Sequence, residues 1–213
     1  GEQPLLSHTD GFADLFSIRA VDELVTARGL RTPFLRMARN GAVLPSGCFT
    51  SSGGVGAQVP DQADGAKIHA EMAQGATLVL QGLHRVWPAL QDFTRQLQRD
   101  LGHPTQCNAY VTPPAARGFD SHYDTHDVFV LQVAGTKEWR LHEPVVDHPC
   151  ADQPWEQHRS AVAARAAEEP HLSTRLSPGD SLYIPRGWLH CATTTQDTSI
   201  HLTIGVHVLT GAD

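Results

Sequence analysis

The chain has 213 residues, 40% of them hydrophobic, enough to build one sizeable core. A formal charge of -7 and a pI near 6.0 exclude the broad basic face that a general nucleic-acid or membrane-surface binder needs. No apolar run approaches the roughly 18 residues of a membrane span and no signal-peptide pattern opens the chain, so a soluble, cytoplasmic protein is expected.

Ser17 to Arg28 places Ile18, Val21, Leu24 and Val25 at helical spacing, with Gly29 as a stop signal. The stretch TPFLRMARNGAVLP reads as two short strands around an Asn40-Gly41 turn. Residues 46–65, rich in Gly, Ser and Asp, read as a loop, followed by a short helix near 67–73 and a strand in ATLVLQG. Residues 83–100 form the strongest helical pattern, with Leu83, Val86, Trp87, Leu90, Phe93 and Leu97 on one face and Pro88 near its start. After residue 104 the character changes to short strands: QCNAYVT, HDVFVLQVAG, KEWRLHEP, STRLSPGDSLYIPRGWLH and TSIHLTIGVHVL, interrupted by a helix within 152–168.

Helices followed by many short strands predict an α+β, mainly β protein, with residues 1–104 packing as helices and outer strands on a jelly-roll core at 105–213, one structural domain overall. In the last strand Leu202, Ile204, Val206 and Val208 alternate with His201, Thr203, Gly205 and His207. If the polar set looks inward, the barrel interior is a wet cavity.

DSHYDTHDVFVLQ (120–132) concentrates imidazoles and carboxylates ahead of an apolar run. On a strand, His122, Asp124 and His126 would share a face. His122 and Asp124 offer one imidazole nitrogen and one carboxylate oxygen, and His190 in PGDSLYIPRGWLHCA is the best third donor. Two histidines and a carboxylate form the facial triad of non-haem iron(II) oxygenases, which leaves coordination positions open. A lone H-x-D is common without a metal. His126 reads as a pocket wall, and His8, His69, His84, His103, His142, His148, His158 and His171 as surface or loop residues. Cys48, Cys107, Cys150 and Cys191 form no C-x-x-C pair, which argues against structural zinc; Cys107 and Cys191 are expected to be buried thiols.

Several elements occur together and in order: N-x-Y at 108–110, T-P-P at 112–114, H-x-D at 122–124, F-V-L-Q at 129–132, G-x-K-x-W at 135–139, P-G-D at 178–180, Y-x-P-R-G at 183–187 and the distal His190. This set resembles the JmjC-type 2-oxoglutarate oxygenases of the ribosomal oxygenase group, across residues 105–210 and more loosely before them. The resemblance implies a double-stranded β-helix (cupin) fold and an enzyme that uses Fe(II), 2-oxoglutarate and O2 to hydroxylate a protein residue, an Arg or His of a ribosomal protein being favoured. By the same resemblance His122, Asp124 and His190 hold iron, Lys137 holds the distal carboxylate of 2-oxoglutarate, Asn108 lies near the cosubstrate, and Tyr110 and Ser199 face the substrate. A 2-oxoglutarate oxygenase of peptides or small molecules, or a metal-binding cupin without oxygenase activity, are the other readings. No direct nucleic-acid or membrane partner is expected. Family members continue into a helical dimerisation region, whereas this sequence stops soon after Val208, so family-style dimerisation does not carry over.

Overall fold

The computed structural model describes residues 1–56 and 58–209, so the last four positions of the expected 105–213 core lie outside the described residues. Strand β1 (Leu5–His8) precedes helix α1 (Ile18–Thr26), whose N-cap Ser17 accepts a hydrogen bond from the Ala20 N–H. Asn40 and Gly41, at φ +50° and +84°, turn β2 (Leu35–Arg39) into β3 (Ala42–Val43). Two positive φ values in a row are what a two-residue hairpin turn requires. The 46–65 segment is not wholly loop: β4 (Thr50–Ser51) pairs with β5 (Gln62–Ala63). Asp64 then caps α2 (Gly65–Ala73), accepting from the Ala66 and Lys67 N–H groups, and β6 (Thr77–Leu80) follows.

The helical pattern of 83–100 is divided in the structure. Leu83–Arg85 is a separate 3-10 turn, and α3 begins at Pro88 and runs to Leu101. The cause is local: a proline disfavours helical backbone in the residue before it, and Trp87 sits extended at φ -122°, ψ 113°. Pro88 becomes the first helical residue, where a missing N–H costs nothing.

The remaining strands are β7 (Thr105–Thr112), β8 (Asp127–Ala134), β9 (Lys137–His142), β10 (Leu172–Leu176), β11 (Asp180–Ile184), β12 (Leu189–Thr194) and β13 (Ser199–Val206), with α4 (Arg159–Ala166) between β9 and β10. An eight-stranded sheet runs β1-β11-β8-β13-β7-β6-β2-β3, and a three-stranded sheet runs β10-β9-β12; their ladders are antiparallel. Strands from both sides of residue 104 therefore share the large sheet.

The central strands of the large sheet bury both faces, while its edge strands β1 and β3 are exposed. Leu35, Met37, Leu78, Leu80, Cys107, Ala109, Val111, Ile200, Leu202 and Ile204 pack with Phe16, Leu24, Ile68 and Leu90 from the helical layer. On the other side Val128, Val130, Leu182 and Ile184 meet Trp139, Leu141 and Leu176 of the small sheet. The period of two in β13 is thus used twice: its aliphatic set faces the helices, while His201, Thr203 and Gly205 line the space between the sheets. No described helix is long and apolar enough to cross a membrane. His142, expected at the surface, is instead buried, with its Nδ1 unpartnered.

Candidate functional site

His122, Asp124 and His190 each present a donor atom, all within 4.8 Å of one another. The two imidazoles hang on one antiparallel bridge: His190 N–H donates to the His122 carbonyl (2.8 Å) and His122 N–H to the His190 carbonyl (3.3 Å). Each ring is also fixed by its far nitrogen. His122 Nδ1–H donates to the Asp120 carbonyl (2.7 Å) and His190 Nδ1–H to the Trp188 carbonyl (3.1 Å). That tautomer leaves both Nε2 lone pairs free, the arrangement that a metal-binding histidine needs. Asp124 Oδ2 stands 3.6 Å from His190 Nε2.

The route to this geometry differs from the expectation. Only His122 makes a strand bridge; Asp124 and His126 lie in the loop before β8, which begins at Asp127. Asp124 is instead placed by its own carbonyl, which accepts from the Gly187 N–H (3.0 Å). Gly187 has φ +87°, and a Cβ there would sit 2.6 Å from the Val146 carbonyl oxygen. Gly187→Ala is therefore expected to cost about 2 kcal/mol or more of stability and to weaken metal binding by moving Asp124; thermal melts and metal titrations of the variant check both.

Burial and the neighbouring His122 hold the His190 imidazole down at about 4, so it stands neutral and able to donate a lone pair. For Asp124, burial opposes ionisation, but the adjacent imidazoles and Arg36 outweigh it and keep the carboxyl below its ordinary range. The result is one carboxylate and two imidazole donors, a set that suits a divalent transition metal.

The trio opens onto a cavity of about 860 Å³ between the sheets. Lys137 lies in its wall, 4% exposed, and its Nζ donates to Thr112 Oγ1 (2.9 Å). Among the described residues no carboxylate lies within 4 Å of it, and burial pushes its ammonium down to about 7. A buried cation without a counter-ion fits the distal carboxylate of a dicarboxylate. Asn108 and Tyr110 also line the cavity. Asn108 Oδ1 accepts from the Gly82 N–H (3.0 Å), and Tyr110 stacks on His201 with ring centroids 4.9 Å apart. Burial, reinforced by Asp124, raises the Tyr110 phenol, which stays a neutral hydrogen-bond donor. Burial, with Lys137 and His190 nearby, keeps His201 well below its ordinary value.

Ser199 departs from the expectation that it faces substrate. It is fully buried away from the cavity lining, and its Oγ accepts from Gln132 Nε2 (2.8 Å). It opens β13 one pleat before the cavity row, beside the bulge at Ile200/His201. Cys191, expected to be buried, lines the cavity and is half-buried. His126 lines the cavity and stacks on His207 at 4.7 Å.

Sequence reading missed Arg36, His84, Trp155 and Arg159 on the cavity wall. His84 Nδ1 accepts from the Cys107 N–H (3.1 Å), so this ring is structural as well as exposed to the cavity. Arg159 lies over the Trp155 ring (4.7 Å), whose centroid is 6.3 Å from that of His122. For Arg36 a signal existed: it alternates with Leu35 and Met37, both buried on the helical side.

Residues 83–213 match the JmjC domain family. Among curated proteins, the chain is 39% identical over 101 residues to a bifunctional lysine-specific demethylase and histidyl-hydroxylase NO66 of Drosophila persimilis, covering 47% of this chain and 14% of that protein. It is 38% identical over 120 residues to human ribosomal oxygenase 1, covering 54% of this chain and 18% of that one. Among solved structures, Escherichia coli ycfD superposes with a TM-score of 0.63 at 17% identity, over 99% of this chain and 51% of that chain. A further structure of that ribosomal oxygenase, in complex with cobalt and 2-oxoglutarate, gives 0.60 at 17% identity, over 99% of this chain and 49% of that one. The matched segments span under a fifth of these two curated relatives, and the chain about half of the solved ones. The two facing sheets and their helical layer are thus the double-stranded β-helix fold of those structures.

Proposed function

The chain belongs to the JmjC family, and from that premise we propose that it is an Fe(II)- and 2-oxoglutarate-dependent dioxygenase that hydroxylates a protein residue. The observation that carries this reading is the pairing of a two-histidine, one-carboxylate donor set with a buried, acid-free Lys137 in one cavity. In the proposal His122, Asp124 and His190 hold the metal and Lys137 and Asn108 the cosubstrate. Tyr110 contacts the substrate, and the assigned role of Ser199 in substrate binding is confined to supporting the cavity row from behind through Gln132. When bound, iron and 2-oxoglutarate together supply an O2-dependent oxidation that yields succinate, CO2 and a hydroxylated C–H.

The rest is done by the protein. The Asp120 and Trp188 carbonyls hold the histidine Nδ1 atoms and so turn both Nε2 atoms toward one point. Thr112 positions the Lys137 ammonium, and Trp139, Val128 and Val130 give the cavity apolar walls that limit water. Tyr110 keeps its proton and presents its phenol to the cavity beside Arg36 and Thr203, where it can donate to a bound substrate. One relative is named a histidyl-hydroxylase and another a ribosomal oxygenase, which supports a ribosomal protein as the substrate, with an Arg or His side chain as the proposed target.

The test is incubation of the protein with Fe(II), 2-oxoglutarate, O2 and ribosomal proteins or their peptides, with succinate release and peptide mass spectrometry as readouts. Gain of one oxygen atom on an Arg or His residue is expected. No iron- and cosubstrate-dependent succinate would leave a metal-binding cupin; an oxidised free small molecule would overturn the protein substrate.

A pH dependence follows from Lys137. The ammonium form binds the dicarboxylate, and in the free cavity it persists only below about 7. 2-Oxoglutarate affinity is therefore expected to be flat below that pH and to fall above it, by up to about tenfold per pH unit, with proton uptake on binding. Calorimetry in buffers of different ionisation enthalpy measures both; an affinity that rises above pH 7 would contradict a protonated lysine anchor.

A further inference from the structure

Arg36 is a charged group of the cavity wall that the proposed chemistry leaves unused. It stands on β2 between Leu35 and Met37, both buried in the helical-side core, so strand alternation turns it to the interior. Register continues the row through Val79, Tyr110 and His201 on β6, β7 and β13. The guanidinium lies over the Phe119 ring, Cζ 5.1 Å from its centroid. Its Nε is buried without a hydrogen-bond partner, and among the described residues no carboxylate lies within 4 Å of it.

Arg36 is half-buried, with its Nε shut off from water and its side chain beside the Tyr110 phenol; a guanidinium so placed without a counter-ion has an open donor, and its planar fork matches a carboxylate better than a neutral carbonyl. Asp124 does not fill that role, because it stands beyond ion-pair distance and belongs to the metal-donor set. Nor does 2-oxoglutarate: one carboxylate is directed to Lys137, on the three-stranded sheet, and its keto-acid end to the metal donors. Arg36 faces the same cavity from the eight-stranded sheet. A second anion has a seat there.

We propose that Arg36 is a specificity-determining residue that anchors a carboxylate of the primary substrate. The carboxylate is borne by an acidic side chain or chain terminus beside the residue to be oxidised, or by a free organic acid. The inference rests on the proposed reading of the cavity as the metal and cosubstrate site.

The test fills those positions first, with zinc and N-oxalylglycine, a non-reacting analogue of 2-oxoglutarate. Acetate or acetamide is then titrated while the Arg36 Nε–Hε NMR signal, assigned by its loss in Arg36→Gln, is followed. A saturable shift with acetate but not acetamide, retained in Lys137→Met, is expected. No acetate shift overturns the proposal, as does a shift already complete with N-oxalylglycine alone, which would assign Arg36 to the cosubstrate. Turnover then separates the sources. Capped peptides with a target His or Arg are compared with Asp or Asn beside it, and with free or amidated C-termini. One acidic member should be preferred by about tenfold or more in kcat/KM. Arg36→Gln should erase that preference with the KM for 2-oxoglutarate unchanged; a preference that survives in Arg36→Gln overturns the assignment. Complete absence of succinate release would strike the oxygenase reading, while the acetate titration still decides the role of Arg36.

Discussion

Asp124→Ala and His190→Ala are each expected to lower 2-oxoglutarate-dependent succinate release to below about one-thousandth of the wild-type rate. The loss should not come from unfolding. Among the described residues the Asp124 side chain makes no hydrogen bond and stands 3.6 Å from His190 Nε2, and the one hydrogen bond of the His190 ring runs from Nδ1 to the Trp188 carbonyl. The bridge that carries His190 is made by backbone atoms, which alanine retains. Melting temperatures within about 3 °C of the parent, or higher, are expected, since a buried donor set is held at some cost in stability. Succinate assays and melts on the two variants, with metal titration as a third readout, check the assignment. Near-full turnover by either one would remove it from the donor set.

Lys137→Met is expected to raise the KM for 2-oxoglutarate by about 100-fold or more, since a buried charge pair that loses one partner costs several kcal/mol. The folded protein should lose nothing. Methionine matches the length of the lysine stem, and the substitution removes a buried ammonium whose desolvation already drives its pKa down to about 7. Thr112 Oγ1 keeps a hydrogen bond from Thr77 Oγ1 (3.2 Å) after the lysine is gone. The signature is therefore a split: cosubstrate affinity falls while stability holds or rises. Unchanged 2-oxoglutarate kinetics in the variant would return Lys137 to a structural role.

The parts of this architecture legible in the sequence are those governed by local chemistry. Ser17 and Asp64 announce helix starts, Asn40-Gly41 announces a hairpin, and the alternation through β13 announces two unlike faces. The donor trio was legible by residue type and order. Its geometry was not: a spacing of two suggested a common strand face, whereas a single backbone bridge and the Gly187–Asp124 hydrogen bond create the convergence. Those contacts join residues more than sixty positions apart, beyond the reach of any periodicity. Ser199 failed for a related reason. The bulge beside Ile200 changes what the first residue of β13 meets, and no pattern in TSIHLTI marks it. Trp155 and Arg159 reach the cavity from the segment between β9 and β10, a placement that no local pattern in the sequence announces.

The two-sided use of β13 bears on which mutations this gene can tolerate. Single substitutions in the strand disturb one side chain and one neighbour set. An in-frame insertion of one codon between those for Leu202 and Ile204 would exchange the faces of every residue beyond it, driving aliphatic groups into the cavity and polar groups against the helices. A two-codon insertion restores the parity and leaves only the ladder to readjust. Libraries of short insertions should therefore show an odd–even pattern of survival along this strand, a signature of a strand with two interiors and no outside.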